Sequence, residues 1–433
     1  MAAMYFLYSL ISIIGHLLLA PFFLLIPSRR RKYLPSLRQR CGFDLPAATP
    51  PDRTCLWVHT VSMGEFLAAR PFIRALCRQY PQARIVLSTI TLTGNALARK
   101  HCPELEVFFF PLDWGLVILR FLDRLQPTLF LCVETEIWPN FFRLARRSGC
   151  RLVLVNGRIS PVSFRRYRWI RSFFRTIAGN VDLFLMQSPD NADRLQRLGV
   201  PPGKIILTGN LKYDLQLETD MAMRGVLESI RQCLGVMDNT FILVCGSSMP
   251  GEEPFLIDLF TGLRLVHSNC RLILAPRHPE RFGEVAAYLQ SLTYSFFRRS
   301  QLAGQNPNYP VDILLLDSIG ELAHVYRLAD LVFIGGSLVD YGGHNILEPA
   351  YLGKAILFGP YMRNFQDIAG TFLTAGGALQ AQNLEELKRI AAEMLSDQEK
   401  RNMLGERAKA IMLENGGALE RTLEQVRRLT RRV

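Results

Sequence analysis

Short apolar runs alternate with helical patterns along most of the chain. The runs lie at residues 56–59, 84–88, 107–110, 128–133, 152–155, 183–186 and 205–207, and again at 241–244, 272–275, 313–316, 331–334 and 355–358. Such runs, separated by helical segments, are typical of strands buried in a parallel sheet with helices on both faces. The pattern therefore predicts two open α/β sheets, joined near residues 212–239, that face each other across a cleft.

An apolar segment opens the chain. Residues 3–27 contain no Lys, Arg, Asp or Glu and are numerous enough to span a bilayer. The basic residues that follow are Arg29, Arg30, Arg31, Lys32, Arg38 and Arg40. Because this charge follows the apolar segment, we expect an uncleaved anchor with the rest of the chain in the cytoplasm. A helix lying in the membrane interface and a buried core helix are the alternative interpretations.

Length, charge and cysteine content refine this organisation. The 433 residues exceed what one hydrophobic core usually serves, and the formal net charge of +13 admits nucleic acid, an anionic membrane or an acidic substrate as partner. The nine cysteines have no CxxC spacing, which indicates free thiols in a reducing compartment. The predicted parts are an anchor at 1–28, a basic, proline-rich linker at 29–52, and domains at 53–215 and 216–433. Helices ending in Arg427, Arg428, Arg431 and Arg432 close the second domain.

Ligands of open α/β sheets bind at the carboxyl ends of the strands, so the residues that leave the strands are the site candidates. Glu65 follows the first strand, in the first turn of a helix predicted over residues 66–79. A carboxylate placed there is a candidate general base. The alternative is a glutamate favoured at a helix start by the helix dipole.

Glu134 and Glu136 leave a second strand of the first half. They are candidates for orienting a substrate hydroxyl or pairing with an arginine, and the alternative is a helix cap. The chain contains no D-x-D triplet, and no His or Cys lies at metal-ligand spacing from them, so we expect no metal. Arg158 and the arginines at 165, 166, 168, 171 and 175 follow, interleaved with aromatic residues. Beside a membrane anchor, this pattern favours phosphorylated lipid over nucleic acid.

The stretch 331–360 is the centre of the second half. Its glycine pairs, Gly335-Gly336 and Gly342-Gly343, permit close approach to a ligand, and a helix starting near Asn345 would direct free N–H groups at an anion. Glu348 is suited to accept hydrogen bonds from sugar hydroxyls. The combination predicts a nucleotide or nucleotide-sugar pocket, whereas the alternative is an ordinary strand-to-helix turn.

Two further strand exits contribute polar residues to this half. Ser247 and Ser248 leave one strand, and Pro276, Arg277 and His278 leave the next. Arg277 is suited to a bidentate contact with phosphate or carboxylate, whereas a lone histidine such as His278 is more often structural. Neither a G-x-x-x-x-G-K-[ST] loop nor a G-x-G-x-x-G motif follows the first strand, which argues against ATP hydrolysis and dinucleotide redox chemistry.

Together these exits resemble the Kdo transferases, glycosyltransferases that move 3-deoxy-D-manno-oct-2-ulosonic acid (Kdo) from CMP-Kdo onto a lipid A precursor. The matching segments, in order, are 62–65 (SMGE), 134–140 (ETEIWPN), 156–160 (NGRIS), 209–214 (GNLKYD), 276–282 (PRHPERF), 335–338 (GGSL) and 344–349 (HNILEP). One residue departs from the family's pattern: Met249 stands where the family often has a histidine.

The resemblance implies a GT-B fold, an inverting mechanism and a location at the cytoplasmic face of the inner membrane. It also implies that Glu65 is the catalytic base and that Glu134, Glu136 and Arg158 lie on the acceptor side. The implied donor-binding residues are Ser247, Ser248, Pro276, Arg277, His278, Gly335, Gly336, Ser337, Asn345 and Glu348.

The resulting hypothesis is a single displacement that needs no cofactor and no metal. The expected partners are CMP-Kdo, a lipid A precursor (lipid IVA) and anionic inner-membrane lipid, and we expect no nucleic acid. Two alternatives remain open at this point. One is a GT-B enzyme that uses a UDP-sugar, and the other is a membrane-anchored binding module without catalysis.

Overall fold

The computed structural model describes residues 2–25, 27–215, 217, 220–302, 307 and 309–430. The chain forms two units: unit 1 consists of Met1–Asp214 and Gly416–Val433, and unit 2 of Leu215–Asn415. The predicted anchor and linker belong to unit 1. Arg431 and Arg432, named above as part of a basic C-terminus, lie outside the described residues.

Unit 1 is built on a seven-stranded parallel sheet. Its strands are β1 (Cys55–Thr60), β2 (Arg84–Thr89), β3 (Glu106–Phe109), β4 (Pro127–Val133), β5 (Arg151–Gly157), β6 (Leu183–Met186) and β7 (Ile205–Leu207). They are ordered β3-β2-β1-β4-β5-β6-β7, and His59 of β1 is in register with Cys132 of β4. The strand order reverses at β1 and β4, so the loops leaving these two strands diverge at a topological switch point, where ligands of such sheets bind.

Helices cover both faces of this sheet. They are α1 (Ala2–Leu25), α2 (Pro27–Arg40), α3 (Met63–Gln79), α4 (Leu92–His101), α5 (Gly115–Leu125), α6 (Pro139–Arg147), α7 (Pro161–Trp169), α8 (Arg171–Ala178) and α9 (Pro189–Arg197). Side-chain oxygens of Ser62, Thr91, Ser160 and Ser188 cap the first turns of α3, α4, α7 and α9. Two apolar clusters, one on each sheet face, form the core, with Trp57 and Phe66 among the fully buried residues.

The N-terminal segments differ from the prediction in two ways. The first half of the predicted linker is helical, because α2 covers residues 27–40. This helix ends against the sheet, where the Gln39 amide oxygen accepts the Phe109 N–H at 2.7 Å. For the anchor, none of the helices in the described ranges combines the length and the hydropathy needed to cross a bilayer. The expected spanning segment is therefore not supported.

Unit 2 contains a second seven-stranded parallel sheet. Its strands are β8 (Phe241–Ser248), β9 (Cys270–Pro276), β10 (Phe296–Arg298), β11 (Ile313–Leu315), β12 (Leu331–Ile334), β13 (Ala355–Phe358) and β14 (Leu379–Gln380), in the order β10-β11-β9-β8-β12-β13-β14. Its helices are α10 (Met221–Leu234), α11 (Glu253–Val266), α12 (Phe282–Gln290), α13 (Leu322–Val325), α14 (Leu347–Tyr351), α15 (Gln366–Thr374), α16 (Leu384–Ser396) and α17 (Gln398–Asn415). The central strands β9, β8 and β12 lie side by side, so their exits are neighbours.

The last helix, α18 (Ala418–Thr430), was assigned to the second domain from the sequence, and that assignment was wrong. It belongs to unit 1, where Val426 is fully buried in the core cluster beside Leu419 and Leu423. The Asp214 carboxylate accepts the N–H groups of Gly417 and Leu419 at 2.6 and 2.5 Å, which fixes the start of this helix. The apolar side of α18 is buried against the core of unit 1, which explains why the chain returns to unit 1 after completing unit 2.

Candidate active site

Glu65 lies in the first turn of α3, directly after β1. Its Oε2 accepts the Val61 N–H at 2.6 Å, and its Oε1 lies 3.4 Å from the Ser62 hydroxyl, whose oxygen caps the helix. Burial, followed by the charges of Glu134 and Glu136, raises the pKa of Glu65 to about 8. A partly buried carboxylate with such a pKa is a stronger base than an ordinary glutamate once it is ionised.

The structure brings the three predicted carboxylates of unit 1 together. Glu134 adopts a φ of +59°, in the left-handed region that non-glycine residues rarely occupy, and its N–H donates to the Val155 carbonyl at 2.8 Å. Burial, followed by the Glu134 charge, raises the pKa of Glu136. Backbone strain next to a cluster of like charges is typical of functional sites.

Lys212 provides positive charge to this cluster and was not selected as a site residue from the sequence, although it lies in the 209–214 segment. Its Nζ lies 3.4 Å from Glu134 Oε1. The turn that carries it is held by Asn156, whose Oδ1 accepts the Leu211 N–H at 3.0 Å and which itself has a φ of +56°. The position of Lys212 depends on this contact between β5 and the 209–214 segment, which is distant in sequence.

Arg158 leaves β5 beside the acidic cluster. Its N–H donates to the Thr135 hydroxyl at 2.9 Å, so the loops after β4 and β5 are joined. Helix α7 follows and has no buried residue, and Trp169 at its end is 89% exposed. Arg165, Arg166, Arg168 and Arg171 are exposed as well. The predicted basic surface is thus present on unit 1. Its aromatic part is smaller than predicted, because Phe164, Tyr167 and Phe173 pack against the core and Phe174 is buried.

In unit 2, the exits of β8 and β9 are joined through Ser248. Its carbonyl accepts the Arg277 N–H at 3.0 Å, while its hydroxyl donates to Glu253 Oε1 at 2.9 Å. Ser248 is fully buried, and its neighbour Ser247 has a φ of +61°. The Ser248 hydroxyl therefore has a structural partner, and its predicted contact with the donor stays a prediction.

Arg277 follows Pro276 at the end of β9. Within the described residues, no side chain forms an ion pair with its guanidinium, which is partly exposed. His278 comes next, with Nδ1 3.7 Å from Glu280 Oε1. Arg277 influences both His344 and Glu348 electrostatically. It is the side chain of unit 2 best suited to an anionic ligand.

The glycine loop after β12 uses its backbone N–H groups internally. Those of Gly336, Ser337 and Leu338 all donate to the Glu252 carboxylate, and that of Gly335 donates to the Gly246 carbonyl at 2.7 Å. The sequence predicts that these glycines approach the ligand, and that contact stays a prediction. Gly335 is instead needed because a Cβ there would overlap the Ser247 carbonyl, and Gly336 because its φ is +68°.

Ser337 is fully buried within the same loop. Its hydroxyl donates to the Ile334 carbonyl at 2.5 Å and accepts the Gly359 N–H at 2.8 Å, so it joins the exits of β12 and β13. Its predicted contact with the donor also stays a prediction.

The helix expected near Asn345 is smaller than predicted. It begins at Leu347 and ends at Tyr351, and Gly353, with a φ of +66°, follows its end. One turn carries little dipole, so the expected anion site at its N-terminus is not supported. Asn345 joins the helix to Glu348, since its Oδ1 accepts the Leu347 N–H and its Nδ2 donates to Glu348 Oε1, both at 3.1 Å. Burial raises the pKa of Glu348.

His344 and Glu252 were missed in the sequence. Burial, followed by the charges of Arg277 and His278, lowers the pKa of His344 to about 4, and within the described residues its Nε2 has no hydrogen-bond partner. The signal for Glu252 was weak: two consecutive glutamates after Pro250-Gly251, at the start of a helix. Across the described ranges, no group of three His, Cys, Asp or Glu side chains is arranged to hold a metal ion.

The chain is similar to a known protein family and to individual members of that family. The family model "3-Deoxy-D-manno-octulosonic-acid transferase (kdotransferase)" matches residues 35–215. The 3-deoxy-D-manno-octulosonic acid transferase of Haemophilus influenzae is 33% identical over 422 residues, which are 97% of this chain and 97% of that protein. That of Bordetella pertussis is 31% identical over 402 residues, 90% of each chain.

A solved structure supports the fold. The UDP-GlcNAc 2-epimerase from Neisseria meningitidis bound to UDP-GlcNAc matches with a TM-score of 0.57 at 13% identity, covering 87% of this chain and all of that one. At this identity the likeness concerns the fold alone, a pair of parallel-sheet α/β domains of GT-B type. The similarity to the two transferases covers nearly the whole length and confirms the resemblance drawn from the motifs: the chain belongs to the 3-deoxy-D-manno-octulosonic acid transferase family.

Proposed function

We propose that this protein transfers Kdo from CMP-Kdo to a hydroxyl group of a lipid A precursor, with inversion of configuration. Membership of the family supports the Kdo transfer. The observation that carries the chemistry is the Glu65 carboxylate, held by Val61 and Ser62 at the exit of β1 and raised in pKa to about 8.

The proposed step is a single displacement. Glu65 takes the proton of the acceptor hydroxyl, and the hydroxyl oxygen forms a bond to the anomeric carbon of Kdo. The bond from that carbon to the phosphate oxygen of CMP breaks, and CMP leaves with the electron pair. A base with a pKa near the working pH suits this role, because it is ionised in part of the molecules and basic enough to accept the proton.

The donor is assigned to unit 2. Arg277, which has no ion-pair partner within the described residues, is the proposed contact for the phosphate or for the Kdo carboxylate. His344 contributes a partly buried, neutral imidazole whose Nε2 has no hydrogen-bond partner among the described residues, and Glu348 contributes a carboxylate oxygen for a sugar hydroxyl. CMP carries a single phosphate, so side chains of this kind suffice for the leaving group without a divalent ion.

The acceptor and the membrane are assigned to unit 1. The first part of α1 packs on unit 1. Tyr5 is 4% exposed, and its hydroxyl accepts a hydrogen bond from Asn180 Nδ2 at 3.1 Å. The Ser9 hydroxyl donates to Asn140 Oδ1 at 3.1 Å. The other face of α1 exposes Phe6, Leu7, Leu17 and Leu18. With the exposed Trp169 and the arginines of α7, this face supports binding at the cytoplasmic surface of the inner membrane, in contact with anionic lipid.

The test is an assay of Glu65→Ala and Glu65→Gln with CMP-Kdo and a lipid A precursor. Loss of a positioned base typically lowers the rate about 10²–10⁴-fold. Glu104→Ala, an exposed glutamate of the same unit, is the matched control. Mass spectrometry of the lipid identifies the product. Turnover of Glu65→Ala close to wild type, in a folded protein, would remove Glu65 from the mechanism.

A further inference from the structure

Glu252 is a fully buried carboxylate that receives four backbone hydrogen bonds. It stands directly before α11, and its two oxygens accept the N–H groups of Met249 at 2.9 Å, Gly336 at 2.6 Å, Ser337 at 3.0 Å and Leu338 at 2.9 Å. No lysine or arginine among the described residues forms an ion pair with it. Burial raises the pKa of Glu252, and the backbone N–H groups of the two loops offset part of that rise by stabilising its charge.

This carboxylate occupies the place that a ligand phosphate takes in many glycine loops. Consecutive N–H groups of such a loop form a concave anion site. Here the N–H groups of residues 336–338 are already used, so the anion of this loop is part of the protein. The loop is thereby formed before any ligand arrives.

The loop in turn holds residues that the donor assignment needs. The Gly336 carbonyl accepts the Gly343 N–H at 2.7 Å, directly before His344. The His344 ring lies against Gly336: a Cβ added to Gly336 would be only 3.0 Å from the ring. The position of Gly336 therefore determines where His344 lies, and Glu252 determines the position of Gly336.

The next residue, Glu253, fixes the neighbouring strand exits. Its Oε1 accepts hydrogen bonds from the Ser248 hydroxyl at 2.9 Å and from Arg281 Nη1 at 2.8 Å, and its Oε2 lies 3.1 Å from Arg281 Nη2. Arg281 follows Arg277 by four residues, in the loop after β9. The two consecutive glutamates thus join the exits of β8, β9 and β12.

We propose that Glu252 is a positioning residue for the donor nucleotide, which presets the 335–338 loop and, through Gly336 and Gly343, the position of His344. The inference rests on the proposed function, since its ligand is the donor of that reaction. Replacement by glutamine keeps one acceptor oxygen but turns an amide group toward backbone donors. The loop then has to be ordered by the ligand, which weakens nucleotide binding.

The experiment titrates CMP into the full-length protein and its variants by calorimetry. For Glu252→Gln we expect a CMP Kd and a KM for CMP-Kdo raised about 10- to 100-fold, the range of one or two hydrogen bonds to a charged group, with the KM of the lipid acceptor unchanged. Glu252→Asp keeps the charge, so its affinity for CMP should fall less than that of Glu252→Gln. Glu284→Gln is the control, because that carboxylate is exposed and accepts a hydrogen bond from Arg281 Nη2 instead of from the 335–338 loop.

Amide hydrogen exchange of the wild type provides a second readout, which does not depend on whether a variant folds. The N–H groups of residues 335–338 and 343, which are all hydrogen-bonded in the structure, should exchange slowly before CMP is added. Fast exchange that becomes slow only with CMP would overturn the proposal, and so would a glutamine variant that binds CMP as well as or better than wild type. If the wild type itself binds no CMP, the proposed donor fails together with the role of Glu252. Normal CMP binding by both wild type and variant refutes the role of Glu252 alone.

Discussion

The ammonium nitrogen of Lys212 lies 3.4 Å from Oε1 of Glu134, the carboxylate that contributes, after burial, to the raised pKa of Glu65. The charge of Lys212 offsets that of Glu134 and so limits how far the pKa of Glu65 rises. The protonation of the proposed base therefore depends on a contact between the loop after β4 and a segment distant in the sequence.

The first prediction is the pH dependence of the reaction. Because the pKa of Glu65 is about 8 and its ionised form is the base, kcat/KM should rise about tenfold per pH unit below pH 8 and level off above it. A rate profile between pH 5.5 and 9.5, with buffers of constant ionic strength, measures this. A profile that falls over this range would contradict ionised Glu65 as the base.

A second prediction concerns the neighbours of Glu65. Glu134→Gln removes a like charge, so the midpoint of the pH profile should move to lower pH, whereas Lys212→Met should move it higher. Lys204→Met, a control in the same unit, changes the same kind of charge near Asp182 and should leave the midpoint unchanged. Identical midpoints in wild type, Glu134→Gln and Lys212→Met would show that the cluster does not set the protonation of the base.

The third prediction is that Glu65→Gln stabilises the protein at high pH. The folded-state pKa of Glu65 is raised from 4.5 to about 8, so its stabilising, protonated form is fully present below pH 4.5 and is lost as the pH rises through 8. Glutamine imitates the protonated form and still accepts the Val61 N–H. Thermal melts should therefore show similar Tm values near pH 5 and a higher Tm for the variant near pH 9. A variant that is less stable at pH 9 would contradict this.

Nucleotide preference separates the proposed donor from a UDP-sugar. CMP should raise the Tm more than UDP or CDP, because the proposed donor is a cytidine monophosphate. Arg277→Gln should abolish most of the rise in Tm that CMP produces. Arg363→Gln is the matched control, since this exposed arginine of unit 2 is paired with Asp340. A larger shift with UDP would overturn the donor assignment.

Membrane binding is the fifth prediction. Replacing Phe6 and Leu18, which are 71% and 74% exposed on α1, by serine should reduce cosedimentation with vesicles that contain anionic lipid. Leu265→Ser and Val266→Ser, at exposed positions of unit 2, are the controls. Equal binding of all variants would show that this face of α1 does not contact lipid.

Most strands of both sheets could be predicted from the sequence, because buried parallel strands are short apolar runs. All twelve predicted runs contain strands, with limits that differ by a few residues. The edge strands β10 and β14 were missed, because three and two residues at a sheet margin carry no apolar run. The helical pattern of α18 was correct, but a helix pattern does not say which sheet its apolar stripe packs on.

The site was predicted in part for a comparable reason. Glu65 was identifiable because a glutamate in the first turn after a strand is visible in a single segment. The role of Glu252 depends on a loop more than eighty residues later, and such pairing is not visible in local sequence. The helix near Asn345 ends after one turn, shortly before Gly353 with its positive φ, so the anion site expected at its N-terminus is not supported.

The hydrogen bonds from Gly417 and Leu419 to Asp214 bring the two places where the backbone leaves and re-enters unit 1 next to each other. Unit 2 is therefore an uninterrupted insertion whose removal opens only a narrow gap. A few glycines linking Asp214 to Gly416 would close it. Unit 1 and unit 2 should thus be obtainable as separate proteins, each with its own sheet intact, so that the proposed acceptor and the proposed donor can each be studied on one unit.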